Sequence, residues 1–377
     1  MTEKQKSDIR IWTTGHSETA ITSPLGGFIL SSNLSAPKAN CECSSMAERQ
    51  PSKLYMRVRF PSLAPMKSLK VAVIGGGVIG QYISWKLSSA GHSVCVFDYR
   101  KEECLKDKAC SVLVSERIKD FIPISDEHIE NIIDTCIINF PKKKIELNFS
   151  PKHLALNKEK LMKTFLDLNR ESGTKFFFEQ NIKELPKGFD IIIGCDGANS
   201  TVRKIMGLPS PIMKVGVQWF LDQKENSNIT QTFPESNGFS WRIPKGERVE
   251  CGYFGESVKE KGTSGALIPS PRCPLINAGL IFSNRDDIAL CGDSMGLTKP
   301  WSGGGIIWNL YAADILINNF PDFKKYKKEV ISFFWWKILK GKISNSIVYF
   351  LGKNFPYIIP SRIRYDNDFS VALMLKK

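Results

Sequence analysis

A glycine-rich turn between an apolar run and a helical pattern is the feature that most constrains how this chain folds. The run Lys70–Ile74 is rich in Val and Ile, and a helical pattern follows the turn. Gly75, Gly77 and Gly80 have the spacing G-x-G-x-x-G, in which missing side chains allow a tight turn and close approach of a pyrophosphate to backbone N–H groups. A second apolar stretch ends in Asp98, where a carboxylate can accept hydrogen bonds from an adenosine ribose. These features predict a strand–turn–helix unit that binds a dinucleotide.

Two later segments each place an aspartate beside a glycine at the end of a strand-like run. The first is Asp196-Gly197 in the string DGANSTVR, and the second is Gly292-Asp293 in the string CGDSMG. Another glycine-rich turn then opens a second helical pattern, and its candidate residues are Pro300, Gly303, Gly304 and Gly305. The N–H groups and dipole of that helix can face the pyrimidine edge of a flavin and stabilise negative charge on its reduced form.

In their order these motifs resemble those of the group A flavoprotein monooxygenases and their relatives. DGANSTVR is similar to the Asp-Gly motif of that superfamily, and CGDSMG is similar to its Gly-Asp motif, whose aspartate bonds a ribityl hydroxyl of FAD. The resemblance implies that FAD is the cofactor and that the residues of all three motifs bind it. A helix N-cap is the alternative role for Asp196 and Asp293, but the glycines beside both favour the cofactor.

An aromatic strand extends the resemblance to the geranylgeranyl reductases. The string GFSWRIPKG resembles their YxWxFP motif, which implies that Phe239, Trp241 and Pro244 line the substrate cavity. Strand alternation places Phe239 and Trp241 on one face, suitable for an apolar isoprenoid wall. An aromatic pair in an ordinary sheet core is the alternative, and the string is also similar to the WxWxIP signature of flavin halogenases.

Two positions depart from the reductase pattern. Cys110 matches a cysteine that the reductases carry beside the flavin, but Ser111 replaces the glycine that follows it. A thiol there could supply a proton to carbon or simply pack, so Cys110 is a candidate catalytic and cofactor-binding residue. Lys158 stands with Asn157 where the family usually has an Asp-Arg pair, and it keeps the positive charge toward FAD without the bidentate fork.

The resemblance implies an α/β fold in which a Rossmann-type FAD-binding domain is interleaved with an antiparallel-sheet substrate domain. We assign residues 66–320 to these two domains and residues 321–377 to a basic, aromatic, helical appendix. The FAD-binding segments are 66–115, 150–210 and 280–320, and the substrate-domain segments are 116–149 and 211–279. Because the chain has a single G-x-G-x-x-G, we expect no second Rossmann domain for a nicotinamide cofactor.

The formal net charge of +14 is concentrated near the C-terminus. Residues 322–377 hold 12 Lys or Arg against 4 Asp or Glu, mixed with aromatic side chains such as Trp335 and Trp336. This mixture suits an anionic membrane surface better than a nucleic acid, although packing of the aromatics on the FAD domain explains it equally well. No RNA-binding motif is present, so we expect no nucleic-acid partner.

Cysteine, histidine and hydropathy patterns exclude several classes of protein. The ten cysteines form no C-x-x-C pair, which argues against zinc ribbons, iron–sulfur clusters and disulfide scaffolds. Four histidines are little material for a metal site or a hydrolytic triad, and we predict no bound metal. The sequence has no transmembrane run and no signal-peptide pattern, so we expect a cytoplasmic protein that can bind peripherally to the inner face of the membrane.

Residues 1–65 differ in composition from the rest of the chain. They are rich in Ser, Thr, Pro and Gly and show no sustained periodicity. The stretch 44–65 resembles a translated transfer-RNA gene, so we expect the protein to begin at Met66. A disordered N-terminal extension is the alternative, and neither interpretation assigns it a function.

The resemblance implies an FAD-dependent reductase of isoprenoid carbon–carbon double bonds, in archaeal-type membrane lipid biosynthesis. Its partners would be an isoprenoid lipid and an electron donor, either NAD(P)H or a ferredoxin-like protein. A flavin-dependent monooxygenase or halogenase is the enzymatic alternative. A basic flavoprotein that binds RNA or acts as a scaffold is the non-enzymatic one.

Overall fold

The structure is a computed structural model, and it describes residues 10–12, 18–20, 68–107, 110–236, 238–255, 268–269, 273–275 and 280–369. The chain separates into two compact units, residues 1–67 and residues 68–377. In the first unit, strands β1 (Arg10–Trp12) and β2 (Glu18–Ala20) pair antiparallel, which the sequence did not predict. The rest of the predicted extension, and the predicted start at Met66, lie outside the described residues.

The second unit contains a five-stranded parallel sheet. Its strands are β3 (Lys70–Ile74), β4 (Ser93–Phe97), β8 (Lys175–Phe177), β9 (Ile191–Gly194) and β16 (Ile288–Leu290). They lie in the order β16, β9, β3, β4, β8, and every neighbouring pair is parallel. The central strand β3 is apolar and almost wholly buried, as expected for a parallel sheet covered on both faces.

Five α-helices accompany this sheet in the described residues. They are α1 (Val78–Ser89), α2 (Lys158–Glu171), α3 (Thr201–Ile205), α4 (Ile306–Asn319) and α5 (Phe323–Asn354). Helix α1 contacts both α2 and α4, and α4 contacts α5. Side-chain caps begin three of them, because Asn157 accepts from the N–H of Lys160, Ser200 from the N–H of Arg203 and Asp322 from the N–H of Lys325.

A ten-stranded, mainly antiparallel sheet forms the other layer. Its strands are β5 (Leu113–Ser115), β6 (Ile129–Phe140), β7 (Lys143–Leu156), β10 (Ile212–Leu221), β11 (Ile229–Glu235), β12 (Gly238–Lys245), β13 (Arg248–Gly255), β14 (Ile268–Pro269), β15 (Cys273–Leu275) and β17 (Arg362–Tyr365). The main order is β14, β10, β13, β12, β11, β6, β7, β17, with β15 on β10 and β5 on β7. Only the β11–β6 and β17–β7 pairings in it are parallel.

This architecture confirms the predicted fold class, including the helical C-terminal region. The C-terminal segment departs from a purely helical appendix at residues 362–365, which join the large sheet as β17. Strand β7 runs without interruption across 149–150, where the sequence placed a change of domain. The segment bounds of the two domains otherwise stay a prediction.

The long helix α5 packs on the body of the unit through buried side chains and two glycines. Phe334 and Ile338 lie in the main apolar core, and Phe334 contacts the buried ring of Trp308. A Cβ atom at Gly341 would come within 2.7 Å of the Trp301 ring, and one at Gly352 would overlap the Phe140 ring. In the described part of the chain, no helix combines the length and the apolar composition needed to cross a membrane.

Candidate active site

The first glycine turn shows two different reasons for glycine. Gly75 has φ +104°, and a Cβ atom there would lie 2.5 Å from the carbonyl oxygen of Cys195. A Cβ atom at Gly80 would overlap the carbonyl oxygen of Gly75. At Gly77 a Cβ atom would meet no protein atom within 4 Å, and this residue lies in a cavity wall. Gly75 and Gly80 therefore serve the fold, whereas the open space at Gly77 fits a cofactor phosphate.

Asp98 holds this turn through both carboxylate oxygens. Its Oδ2 accepts from the N–H of Gly76 at 2.7 Å and from Nη2 of Arg100 at 2.8 Å, while Oδ1 accepts from N and Nε of Arg100 at 2.9 Å. Burial would raise the pKa of Asp98, but the hydrogen bonds and charge of Arg100 outweigh burial and lower it. Its ribose contact stays a prediction, because four donors already use the acceptor positions of the carboxylate.

The Asp-Gly motif lies at the N-terminus of α3. Asp196 Oδ2 accepts from the backbone N–H groups of Thr201 and Val202 at 2.6 and 3.0 Å, as a capping residue does. Its Oδ1 is buried without a hydrogen-bond partner in the protein, so capping does not account for the whole carboxylate. Arg203 of the same motif is buried and donates to the carbonyl oxygens of Ser294 and Ala198, both at 2.7 Å. Arg203 thereby joins the Asp-Gly loop to the Gly-Asp loop.

The Gly-Asp motif and the second glycine turn meet at the N-terminus of α4. Asp293 lies in a short 3-10 helix directly after β16, and its Oδ1 accepts from Nδ2 of Asn309 at 3.1 Å. A Cβ atom at Gly305 would come within 2.9 Å of that Nδ2 and 3.2 Å of that Oδ1. Gly303 has φ +67°, and a Cβ atom there would press on the Phe254 ring at 2.7 Å. The glycines thus let the first turn of α4, with its unpaired N–H groups, reach the cavity.

A single cavity of about 480 Å³ connects these motifs with the large sheet. Eleven residues predicted for the site lie in its wall: Gly77, Cys110, Lys158, Gly197, Phe239, Trp241, Gly292, Asp293, Gly303, Gly304 and Gly305. Gly75, Gly80, Asp98 and Asp196 support the loops from behind rather than forming the wall. The structure therefore brings most of the predicted site together around one space.

Two predicted residues point elsewhere in the described structure. Pro300 is absent from the cavity wall and packs toward α5, with its Cγ 3.3 Å from the Cβ position of Gly341. Pro244 is also absent from the wall, and its carbonyl oxygen accepts from Nδ2 of Asn131 at 3.0 Å. Strand alternation gives the reason for Pro244, because it lies an odd number of residues from Phe239 and Trp241 and so occupies the other face of β12.

A buried charged network ties the aromatic wall to the Cys110 loop. Trp241 Nε1 donates to Oε1 of Glu250 at 3.0 Å, and Lys245 Nζ lies 3.5 Å from Oε2 of that glutamate. Lys245 also donates to the carbonyl oxygen of Ser111 at 2.9 Å. Burial raises the pKa of Glu250 despite the opposing charge of Lys245. Lys245 is therefore a positioning residue that links the sheet to the loop carrying Cys110.

A second group that sequence reasoning missed comes from the C-terminal segment. Asp368 is fully buried and forms an ion pair of 2.7 Å with Lys299, a residue of the cavity wall. Asn367 accepts from Nε1 of Trp301 at 2.9 Å, and its Nδ2 lies 3.0 Å from Nε2 of His153. Burial and the charge of Lys299 lower the pKa of His153 to about 4, so its imidazole is neutral near pH 7. The short acidic string DND at 366–368 was the available signal.

Comparison with solved structures identifies the fold. A geranylgeranyl bacteriochlorophyll reductase-like protein from Thermoplasma acidophilum superposes with a TM-score of 0.62 at 18% identity, covering 74% of this chain and 87% of that one. A flavoprotein/dehydrogenase from Cytophaga hutchinsonii gives 0.59 at 14% identity, covering 77% and 88%. The halogenase PltM, solved with phloroglucinol and FAD, gives 0.55 at 12% identity, covering 76% and 77%. The fold is that of FAD-dependent flavoenzymes.

Sequence comparison agrees with a flavoenzyme fold over part of the chain. Kynurenine 3-monooxygenase of Flavobacterium psychrophilum is 25% identical over 169 residues, which is 37% of this chain and 38% of that protein. The Anopheles gambiae enzyme of the same name is 25% identical over 174 residues, or 36% and 35%. The matched region thus spans well under half the length of these curated relatives. No protein-family profile matches the chain.

The flavoenzyme fold and the partial match to FAD-dependent relatives agree with FAD as the predicted cofactor and with an oxidoreductase as the predicted class. Gly77 and the first turn of α4 suit its phosphates and its flavin ring, respectively, because both offer backbone N–H groups without side chains in the way. The comparisons support the resemblance to geranylgeranyl reductases at the level of the fold, which halogenases also share.

Proposed function

We propose that this chain is an FAD-dependent reductase of carbon–carbon double bonds in isoprenoid lipids, with a role in archaeal-type membrane lipid biosynthesis. The observation that carries the proposal is the apolar extension of the cavity beyond the glycine turns. Its wall there is mainly apolar and follows the large sheet, with Ile138, Phe140, Leu147, Val217, Ile243 and Phe254 among its members. A long apolar wall suits a prenyl chain, which offers no hydrogen-bonding groups along its length.

FAD held at Gly77 and the first turn of α4 would, once reduced, supply a hydride for one alkene carbon, and the other carbon would take a proton. The apolar wall excludes water from the alkene, which protects a reactive hydride donor. Cys110 lies in the wall beside the glycine turns, and its Sγ is the protein group that we assign to proton delivery. The electron donor that reduces FAD is NAD(P)H or a ferredoxin-like protein in this proposal.

Anaerobic turnover tests the proposal directly. Flavin-loaded protein reduced with dithionite should convert geranylgeranyl lipids to products that carry one added hydrogen pair for each reduced double bond, read by mass spectrometry. Phe239→Ser removes an aromatic ring from the wall and should lower kcat/KM on the order of tenfold. Phe233→Ser, which changes an exposed ring on the neighbouring strand β11, is the matched control. Absence of any hydrogen-pair gain with fully reduced flavin would reject the reductase.

A monooxygenase or halogenase is the second candidate, and the kynurenine 3-monooxygenase match together with the PltM fold favours it. Such an enzyme needs oxygen, whereas the reductase works without it. Product formation only after admission of oxygen would therefore select the second candidate. A non-enzymatic RNA-binding flavoprotein would instead shift labelled RNA at moderate salt and leave both lipid and oxygen unchanged.

A further inference from the structure

The outer face of α5 and the turn after it carry an exposed apolar surface. Ten of the fifteen exposed large apolar side chains in the described residues lie here: Ile331, Trp335, Trp336, Leu339, Ile343, Ile347, Phe350, Phe355, Tyr357 and Ile358. The spacing of four from 331 to 347 aligns five of them along one helix face. The side chains of Trp336 and Phe350 are 62% and 59% exposed, so they do not belong to the edge of the apolar core. Large contiguous apolar surfaces of this kind mark interaction sites.

The opposite face of the same helix forms part of the cavity. Gly341, Ser344, Asn345, Val348 and Tyr349 line the space that begins at the glycine turns. Residues such as Asn345 and Val348 lie about half a helical turn from Ile343 and Phe350, at 3.6 residues per turn. Helix α5 therefore separates the apolar cavity from an exposed apolar surface by the thickness of one helix, about 10 Å.

Basic residues accompany this surface from end to end. Helix α5 contains eight lysines and one acidic residue, Glu329, whose carboxylate accepts from Nδ2 of Asn319. Lys325 and Lys328 are exposed near its N-terminal end, Lys340 near the middle and Lys353 at its C-terminal end. Apolar rings flanked by lysines fit an anionic lipid surface, where rings enter the interface and ammonium groups meet phosphates. A second copy of this chain would oppose lysines to lysines.

We propose that the outer face of α5 and the turn after it, within residues 331–358, docks on an anionic lipid bilayer, with the helix lying in the plane of the membrane surface. The proposal rests on the proposed function for its purpose, because a membrane-resident isoprenoid lipid would then lie one helix away from the cavity. The docking itself depends only on the exposed rings and the lysines. It also selects between the two interpretations of the tail that the sequence left open, since most of these rings face outward.

Vesicle flotation of the full, flavin-loaded chain tests the docking. The protein should float with phosphatidylcholine vesicles that contain phosphatidylglycerol, less as salt rises, and poorly with phosphatidylcholine alone. Trp336→Glu combined with Ile343→Glu should reduce the bound fraction roughly fivefold or more. Tyr99→Glu combined with Ile205→Glu makes the same charge change at exposed apolar side chains away from α5 and should leave flotation unchanged. Bound flavin, measured on the same samples, reports whether each variant is folded.

Three results would overturn the docking surface. They are equal flotation of the α5 variant, failure of the unchanged protein to float with anionic vesicles, and a change from oligomer to monomer in the α5 variant. Turnover of geranylgeranyl lipids in detergent separates this proposal from the proposed function. Protein that floats without reducing the lipid keeps the docking surface and rejects the reductase, whereas protein that reduces the lipid without floating rejects the docking surface alone.

Discussion

A side chain at Gly77 would enter open space, whereas one at Gly80 would enter the backbone of the same turn. The two positions therefore require glycine for different reasons, Gly80 for the backbone of the turn and Gly77 for the space in the cavity. A larger residue in place of Gly80 would strain the turn whether or not a cofactor is bound. A larger residue in place of Gly77 would obstruct only a group that enters from the cavity, where a pyrophosphate would meet backbone N–H groups.

This difference gives a prediction for two matched variants. Gly77→Val should unfold at the same temperature as the unchanged protein when both are free of flavin, but should bind FAD at least about tenfold more weakly, near 1.4 kcal/mol. Gly80→Val should lose about 1–3 kcal/mol of stability or fail to fold, because overpacking against backbone is hard to relieve. Flavin absorbance after purification and thermal unfolding of the flavin-free proteins measure both effects. Full flavin occupancy in Gly77→Val would contradict the assignment of the phosphate position.

Local motifs explain why so much of the cofactor site could be predicted at the residue scale. Gly75, Gly77 and Gly80 act within one turn, so their roles follow from spacing alone. Asp98 shows the limit, because Arg100, two residues later, competes for the carboxylate that the spacing reserved for a ribose. The sequence pattern predicts where the carboxylate of Asp98 lies, but its hydrogen bonds depend on which donors the fold brings next to it.

At the scale of elements, the turn after β17 connects the C-terminal segment to the cavity. Asp368 pairs with Lys299 and also accepts from Arg117 at 3.0 Å, with Ser115 donating to the same oxygen. The backbone carbonyl oxygen of Asp368 accepts from Nε1 of Trp308 at 2.7 Å. These contacts join residues from α4, from the loop before it and from the β5 region to the end of the described chain.

Asp368→Asn tests this connection. Loss of the Asp368 carboxylate should destabilise the protein by about 3–5 kcal/mol at pH 7, because Lys299 would keep its buried charge without that partner. Burial would raise the pKa of Asp368, but the charge of Lys299 and the hydrogen bonds from Lys299, Ser115 and Arg117 together outweigh burial and lower it. The stabilisation is therefore present above the unfolded pKa of about 3.9 and is lost as pH falls through the lower folded value. The difference between the two proteins, measured by urea unfolding from pH 7 downward, should therefore shrink in acid.

Asp366→Asn is the control for that variant. Asp366 pairs with the same arginine, yet its side chain is 21% exposed, so the change should cost about 1 kcal/mol or less. Equal losses of unfolding free energy for the two variants would show that the buried ion pair of Asp368 with Lys299 stabilises the protein no more than the pair of Asp366 with Arg117.

Sequence reasoning could not find this element because its partners are far apart along the chain. In the sequence, Lys299 precedes the 32-residue helix α5 and Asp368 follows it, so no short motif contains both residues. The alternation of Arg362–Tyr365 is compatible with a strand, but only pairing with β7 makes it one. The composition of the tail is dominated by basic and aromatic residues, and it gave no indication of a role for the acidic residues at 366–368.

At the scale of the whole molecule, the division at residue 67 separates a long N-terminal stretch from every residue of the candidate site. A chain that begins at Met66 should therefore bind FAD with the affinity of the full chain and unfold at the same temperature. Flavin titration and thermal unfolding of the two proteins measure this. Loss of folding in the shorter chain would show that residues 1–65 contribute to the fold and would reject their interpretation as a translated RNA gene.

The two glycines of α5 fix the helix along its axis as well as around it. Gly341 receives the Trp301 ring and Gly352 the Phe140 ring, roughly three turns apart, and both rings belong to the cavity wall. A slip of one residue would set Lys340 or Lys342 against Trp301, and the helix has no neighbouring position that accepts the ring. Sliding or rolling of helix α5 would therefore require both rings to move. Any displacement of the outer face of α5 would accordingly move two aromatic rings of the cavity wall, so the helix couples the surface of the molecule to the cavity.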